Sequence, residues 1–523
     1  MVRRSMRTRG EVALVDFRRV RRRRYVEEID VMEVLYRVYV GAIFAAIGLG
    51  VLAGAMHEAP ADAAALDSIR VHAPPIIGIA LALGLIAGLR SGAHGGPLAI
   101  EPAEVQYTLL APLDRGTALR PAAYAQLRIA AIAGAVTGAV VGNFVFRRFP
   151  GSPVEWIACL ALFGALVPVS VLGGALLASG RRLRPLLAGE IGVALALWSI
   201  ADLVFGLTTS PATMLGELAT LPLQHGARVA LAAAGVLLAL GLVGFGLRGA
   251  GGILLEAARR RAALAAELRF TAAVADLRTV ILLRRQLASE RPRRRPWLRV
   301  SIAGSHPVWR RGWQSFMRWP PVRIARVLLL AVAAGAVAVA AWKASIVLFV
   351  LPGALLFVAA LDLIEPLAQE SDHPTRFELL PRDTAKLFRR HLAAPAVALA
   401  VVVMVAALSA TAIAENPLAL ELGALLAAPL AMVLAVCAGF SATTDPFRFV
   451  GMPPGFAYGI AAAPPLAAAV ATGVPLLAAR AQWLHGHSPL ASAVSLDLLW
   501  LCVAGVGAIL LGDVVAKRRA VKA

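Results

Sequence analysis

The chain contains few cysteine residues and few aromatic residues. Three cysteines occur in 523 residues, Cys159, Cys437 and Cys502, and each lies in an apolar run without the spacing of a metal-binding or redox motif. We interpret them as small buried hydrophobic residues, so the sequence predicts neither a metal site nor a cofactor. Aromatic residues make up only 6% of the chain, and alanine, leucine, valine and glycine supply its apolar character. This composition is typical of closely packed membrane helices, in which small residues let backbones approach.

Motifs of the common catalytic sites are also missing from the sequence. The chain has no G-x-x-x-x-G-K-[ST] motif to hold the phosphates of ATP, no H-E-x-x-H motif and no C-x-x-C motif. We therefore expect that this polypeptide is not an enzyme and that it cannot hydrolyse ATP alone.

Apolar residues dominate what is present. They make up 59% of the chain, and the mean hydropathy is +0.74, whereas a soluble domain averages about 45–50% apolar residues. The sequence therefore predicts an all-α polytopic membrane protein with about 12 spans, since about 20 helical residues cross ~30 Å of hydrocarbon; the seventh and eighth are short. The predicted spans are 38–56, 73–89, one within 121–146, 156–179, 186–207, 229–247, 327–342, 344–361, 392–413, 417–440, 455–479 and about 493–512.

Lysine and arginine outnumber aspartate and glutamate by 52 to 31, which gives a formal net charge of +21. Such a charge can indicate nucleic-acid binding, but arginine and lysine beside the spans explain it better, and we expect no nucleic-acid partner. Only six of the basic residues fall in segments predicted to lie outside the cell, and 46 fall in the predicted cytoplasmic segments. The positive-inside rule therefore predicts a multi-pass protein of the cell membrane with both termini in the cytoplasm. The six outer residues are Arg70, Arg147, Arg148, Arg228, Lys343 and Arg480.

Two loops of similar sequence follow matching pairs of spans. The first, 97–121, contains PLA, then LL, a proline and an aspartate, and the second, 366–390, repeats this order 269 residues later. A constant offset near half the chain length predicts a tandem duplication, with two parallel six-span repeats. The predicted organisation is a basic cytosolic N-terminus with an elbow helix, 1–37, a first repeat, 38–247, a basic cytosolic linker, 248–326, a second repeat, 327–512, and a basic tail, 513–523.

The linker has two helical segments of its own. Phe270, Val274, Leu277 and Ile281 recur at helical spacing and predict an amphipathic cytosolic helix. Segment 306–321 then combines aromatic residues with arginines, which suits an elbow helix at the depth of the lipid headgroups. Its aromatic residues are Trp309, Trp313, Phe316 and Trp319, and segment 26–39 is its expected counterpart in the first half.

The span layout and the two loops resemble permeases of ABC-2-type exporters, especially actinobacterial exporter-like proteins whose two halves are fused in one chain. In such permeases the loop after the second span contacts a separate ABC ATPase. The resemblance therefore implies an exporter permease with two such contacts and with a separate ATPase subunit, in two copies, as partner. The implied contact residues are Leu109, Leu110, Pro112, Asp114 and Arg115 in the first loop, and Leu379, Leu380, Pro381, Arg382 and Asp383 in the second.

The resemblance is incomplete between the fifth and sixth spans. The sequence shows no clear re-entrant signature there, although segment 208–226 has room for a short helix. A large extracellular domain is also missing.

Four polar residues fall inside or at the ends of predicted spans: Asn143, Glu190, Asp202 and Glu421. One interpretation is a polar lining of a substrate path, because ionisable groups within membranes are costly and commonly functional. The other interpretation is that their side chains extend to the lipid–water interface or pair with side chains of neighbouring helices. The sequence leaves both open.

Two other functions remain open at this level. One is a membrane-embedded lipid-linked sugar transferase with Asp62 or Asp67 as its base. The other is a non-catalytic membrane scaffold that binds partners through the basic linker. In every case the lipid bilayer is an expected partner.

Overall fold

The computed structural model describes residues 62–93, 96–98, 100, 114–273, 292–298, 307–343, 346–372, 384–443, 454–490 and 499–511, together with positions 16, 19, 20 and 283. These residues form α-helices, short 3-10 helices and turns, and no strand occurs among them. The predicted first span, 38–56, and the predicted elbow counterpart, 26–39, lie outside the described residues.

The chain divides into two compact units. Unit 1 includes residues 58–270, and unit 2 includes residues 290–523. The helices of unit 1 are α1 (Ala63–Ala93), α2 (Arg115–Val145), α3 (Pro153–Gly180), α4 (Pro185–Phe205), α5 (Pro211–Ala219), α6 (Ala227–Gly249) and α7 (Leu255–Ala273), whose last residues extend past the unit.

Unit 2 begins with the elbow segment and continues through the second set of spans. Its helices are α8 (Pro307–Phe316), α9 (Pro321–Lys343), α10 (Val350–Leu363), α11 (Glu365–Asp372), α12 (Thr384–His391), α13 (Ala393–Ala414), α14 (Leu418–Thr443), α15 (Pro454–Leu484) and α16 (Leu499–Leu511).

Nine helical segments of the described chain are long and apolar enough to cross a membrane. They coincide with the second to seventh and ninth to eleventh predicted spans, while α10 and α16 are shorter apolar helices at the positions of the eighth and twelfth. The outward faces of these helices carry large apolar side chains, such as Ile129, Ile132 and Val136 on α2, which are 58–65% exposed. Such surfaces are stable only in contact with lipid. The prediction of an all-α polytopic membrane protein is therefore confirmed.

The two linker helices occur near their predicted places. Helix α8 forms within the predicted elbow segment, and α7 begins at Leu255, earlier than the amphipathic pattern that starts at Phe270. Three of the four residues of that pattern, Val274, Leu277 and Ile281, lie outside the described part of the chain.

Small residues line the contact between α2 and α3 in unit 1. Where α2 crosses α3, a Cβ atom added to Gly164 would lie 3.1 Å from the Cα of Gly138, and one added to Gly134 would lie 3.0 Å from the ring of Pro168. Larger side chains at these positions would separate the two backbones. The alanine- and glycine-rich composition thus has the structural effect that the sequence predicted.

The same pairs of helices pack against each other within each unit. In unit 1, α1 packs against α3 and α4, and α3 packs against α2 and α6. In unit 2, the helices at the corresponding places pair in the same way: α10 packs against α14 and α15, α14 packs against α13, and Leu511 of α16 contacts Gly439 of α14. Helix α14 also packs against α15 in unit 2, a contact for which unit 1 has no equally extensive counterpart between α3 and α4, and the duplication stays a prediction.

Candidate functional site

The end of the first repeated loop is described from Asp114 onward, and this residue begins α2. The Asp114 carboxylate accepts hydrogen bonds of 2.9 Å from the backbone N and from the Oγ1 of Thr117. This is an N-cap, which satisfies one of the free N–H groups at the helix start. The hydrogen bond from the Thr117 backbone is the main reason that the pKa of Asp114 is lowered from its ordinary value.

One face of the α2 start is buried in unit 1. Ala118, Leu119 and Ala123 are at most 3% exposed and belong to an apolar cluster. The cluster also contains Leu98, from the PLA sequence of the same loop, and Ala258 of α7. The loop and the linker helix therefore hold the start of α2 from its apolar side.

The second repeated loop is also held by buried apolar residues in unit 2, although its PLA sequence is helical and Pro97 and Leu98 of the first loop are not. Its PLA sequence lies in α11, where Leu367 is fully buried, and Phe388 of α12 is also fully buried in the same cluster. Helix α12 packs against α8, α11 and α13.

The burial pattern of the two copies agrees at most positions at the offset of 269. Helix α2 begins at Arg115 and α12 begins at Thr384, positions that correspond at this offset. Leu119 and Phe388 then occupy equivalent buried positions, as the aligned burial of the neighbouring residues also shows. We call the segments 114–123 and 384–392 the repeated loop helices. The buried pairs are Gly116 with Ala385, Ala118 with Leu387, Leu119 with Phe388 and Ala123 with Leu392.

The opposite faces of the repeated loop helices are exposed and basic. Arg115 and Arg120 are exposed in the first copy, and Lys386 and Arg390 are exposed in the second. Of the residues that the resemblance implies as contacts, Asp114 and Arg115 thus lie on a surface. The other eight, Leu109, Leu110, Pro112, Leu379, Leu380, Pro381, Arg382 and Asp383, lie outside the described residues.

The elbow aromatics form a continuous row beside the second loop helix. Trp309 contacts Trp313, Trp313 contacts Phe316 and Phe316 contacts Trp319, with ring centroids 5.3–5.7 Å apart and edge-to-face geometry. Phe316 and Trp319 are at most 8% exposed, so this end of the row packs into the core of unit 2.

A buried ion pair lies directly after this row. Arg326 of α9 donates hydrogen bonds of 2.8 and 2.9 Å to the two carboxylate oxygens of Asp362 in α10. Arg323 also faces Asp362, at 3.8 Å, and its guanidinium lies 4.2 Å from the ring centre of Trp319. Sequence reasoning missed this group, because the partners are 36 residues apart and the aspartate lies at the end of a predicted span.

The four polar residues predicted as path lining have different environments. Glu190 and Glu421 are exposed, Asn143 is half-buried, and Asp202 is 1% exposed. Only Asp202 therefore lies within the protein core.

Asp202 holds the connection between α4 and α5. Its carboxylate accepts hydrogen bonds from the backbone N atoms of Thr209 and Ser210, the latter at 2.8 Å, and from the Oγ1 of Thr209 at 2.7 Å. Gly206, with φ of +65°, ends α4 in the left-handed conformation that glycine adopts readily. The Ser210 side chain accepts a hydrogen bond from the Thr213 backbone and caps α5.

Helix α5 is almost entirely buried. Thr213 and Glu217 are 0% exposed, and α5 packs between α1 and α6. Thr213 lies so close to Gly78, near the middle of the candidate span Leu66–Gly92, that a Cβ atom there would be 2.8 Å from its backbone. Segment 208–226 therefore holds the short helix for which the sequence had room, and it enters the helix bundle even though the sequence showed no clear re-entrant signature.

Glu217 is the buried acidic residue of α5. Its carboxylate lies 3.6 Å from the guanidinium of Arg228, and neither of its oxygens accepts a hydrogen bond from the described residues. Burial raises the pKa of Glu217 to about 7, and the charge of Arg228 opposes this effect. Arg228 instead donates a hydrogen bond to the backbone oxygen of Arg70, which also accepts a hydrogen bond from the side chain of Gln224.

Groups with metal-binding composition are missing from the described part: no three His, Cys, Asp or Glu residues converge there. The two bases suggested for a transferase, Asp62 and Asp67, are both exposed, and Asp67 lies 3.2 Å from Arg70 on its own helix. Comparisons of the chain with protein-family models, with curated proteins and with solved structures found no match.

Proposed function

We propose that this chain is the membrane-spanning permease subunit of an ABC-type exporter in the cell membrane, and that separate ATP-hydrolysing subunits dock on the two repeated loop helices. The observation that carries the proposal is the matched burial of these helices. In each copy an apolar face is fixed in the core of its unit, and a basic face is exposed.

This arrangement suits the transfer of force from a soluble partner. Since Leu119 and Phe388 are buried beside residues of neighbouring helices, a push on the exposed face moves the helices behind it as a body. In unit 2, α12 is followed after a single residue by the span α13 and contacts the elbow helix α8. Two equivalent contacts also suit a partner that acts as a pair.

The exposed basic residues define the chemistry of the partner surface. Arg115, Arg120, Lys386 and Arg390 favour an acidic patch on the ATPase, because complementary charge speeds and orients association. The chain itself has no motif for ATP, so hydrolysis is assigned to the partner.

Purification of the tagged chain from membranes of its own host tests the proposal. We expect an ABC ATPase in the eluate, identified by mass spectrometry, together with ATP hydrolysis. Changing Arg115, Arg120, Lys386 and Arg390 to glutamate should remove both, since it reverses the charge of the exposed faces. The control variant Arg147→Glu/Arg148→Glu alters basic residues at the other end of α2 and should retain both. Equal recovery of the ATPase in the two variants would reject docking at these helices.

A further inference from the structure

Unit 2 contains a cavity of about 270 Å³ between five of its helices. Residues of α9, α10, α13, α14 and α15 line it. Several lining residues, including Ala338, Ala419 and Leu476, are half-buried, so the cavity is open on one side. Its volume is close to the ~300 Å³ at the lower end of ligand pockets, which suits one narrow chain better than a bulky ring system.

The lining is almost entirely hydrocarbon. Alanine, glycine, leucine and valine supply most of it, and the polar side chains among the lining residues are few. A polar solute would lose its hydrogen bonds to water in such a cavity without replacement, at a cost of several kcal/mol. An alkyl chain makes no hydrogen bonds to water and therefore loses none when it enters the cavity.

The polar side chains of the lining are those of Lys343, Asn416 and Thr472, whose hydroxyl donates a hydrogen bond to a backbone oxygen of its own helix. Lys343, the last residue of α9, is the one charged residue of the lining, and Asn416 lies in the lining as well. Trp342 and Trp483, also in the lining, contact each other with ring centroids 6.1 Å apart. Tryptophan and lysine at the end of a membrane helix are typical of headgroup depth. The cavity therefore runs from an aromatic and cationic end into an apolar interior.

We propose that this cavity binds an anionic bilayer phospholipid, with one acyl chain among the small residues and the phosphate beside Lys343. The argument combines the apolar lining, the width for one chain and the charge complementarity at the mouth. Such binding does not depend on an ATPase, so the proposal stands or falls separately from the proposed function.

Native mass spectrometry of the purified full chain tests the proposal. The chain is exchanged into detergent micelles doped with equal amounts of phosphatidylglycerol and phosphatidylcholine. We expect one phosphatidylglycerol to remain bound per chain. Lys343→Gln should lower its occupancy about fivefold relative to phosphatidylcholine, because a lysine near the surface contributes about that factor. Arg480→Gln, which changes a basic residue outside the lining, should have no effect.

A pair of variants on one helix tests whether the acyl chain of the lipid lies in the cavity. Ala338→Phe places a ring in the cavity, whereas Ala340→Phe places the same ring on the exposed face of α9. We expect Ala338→Phe to abolish retention of the lipid and Ala340→Phe to preserve it. Equal retention by the two variants would overturn the assignment of the chain to this cavity. Equal binding of the two lipids by the unmodified protein would overturn the assignment of an anionic lipid to this cavity.

Discussion

The carboxylate of Asp362 is bound by the guanidinium of Arg326 through two hydrogen bonds, and this pair joins the start of α9 to the end of α10. Asp362 is 4% exposed, and Arg323 also faces it. Removing the aspartate from such a group leaves two cationic side chains without their carboxylate. The loss of one partner of a buried pair typically costs about 3–5 kcal/mol.

We therefore predict that Asp362→Ala strongly lowers the thermal unfolding temperature of the protein in detergent. The matched control is Glu365→Ala, three residues along the chain, a half-buried residue whose carboxylate accepts a hydrogen bond from Gln369. An unfolding temperature for Asp362→Ala equal to that of the control would show that the ion pair does not hold α9 to α10.

Substitutions of Asp114 can distinguish a structural role as an N-cap from a role as a charged contact for the ATPase. As an N-cap of α2, it is replaceable by asparagine, which caps about equally well, whereas alanine costs about 1 kcal/mol. As a charged contact for an ATPase, it would not be replaceable by asparagine. We expect Asp114→Asn/Asp383→Asn to retain the ATPase during purification, and Asp114→Lys/Asp383→Lys to lose it while still inserting in the membrane.

The result of this comparison decides how the repeated aspartates act. Loss of the ATPase from the asparagine variant would assign the carboxylates to direct contact with the partner. Retention by the lysine variant, measured with equal amounts of membrane-inserted protein, would contradict any role of these residues in docking.

Hydropathy located the spans well because that signal is local. Helix α3 occupies Pro153–Gly180, against a prediction of 156–179, since an uninterrupted apolar run of membrane length has few alternatives to a helix. The eighth span begins later than predicted, because residues Ile346–Phe349 form a 3-10 turn before α10.

The buried polar groups could not be predicted in the same way. Segment 208–226 contains glutamate, glutamine and several hydroxyl residues, and the sequence left room there for a short helix without indicating that the helix is buried. Gly78 and Gly235, from two helices distant in sequence, let the backbone of α5 approach closely. Such tertiary contacts leave no periodic signal in the segment itself. Of the matched aspartates of the two loops and the prolines two residues before them, only Asp114 lies among the described residues, where it is the N-cap of α2.

Asp202 provides a prediction that separates a substrate path from a structural role. Its oxygens accept hydrogen bonds from the Thr209 and Ser210 backbones. An asparagine can accept with only one atom, and its NH₂ group would face N–H donors. We expect Asp202→Asn to lower the free energy of unfolding by about 1–3 kcal/mol, the cost of buried groups left without partners, as measured by denaturant or thermal unfolding.

The control for Asp202→Asn is Glu190→Gln on the same helix, since Glu190 is exposed. We expect it to unfold like the unmodified protein. An Asp202→Asn variant of normal stability that no longer supports transport would contradict the structural role and favour the path-lining interpretation.

Glu217 makes the stability of unit 1 dependent on pH. The pKa of this buried carboxyl is raised from 4.5 to about 7, so the folded protein binds its proton more tightly than the unfolded chain does. The resulting stability is fully present below pH 4.5 and is lost as the pH rises through about 7. This difference in pKa between the folded and unfolded chain corresponds to a change of roughly 3 kcal/mol in the free energy of unfolding.

We therefore expect the thermal unfolding temperature of the purified protein to fall relative to that of Glu217→Gln between pH 5 and pH 8. Glu217→Gln, which keeps the neutral form at every pH, should be the more stable protein at pH 8. Glu421→Gln is the matched control, because Glu421 is exposed on α14, and it should keep the pH dependence of the unmodified protein. If Glu217→Gln were less stable than the unmodified protein at pH 8, the carboxylate would be charged in the fold and stabilised by Arg228, 3.6 Å away.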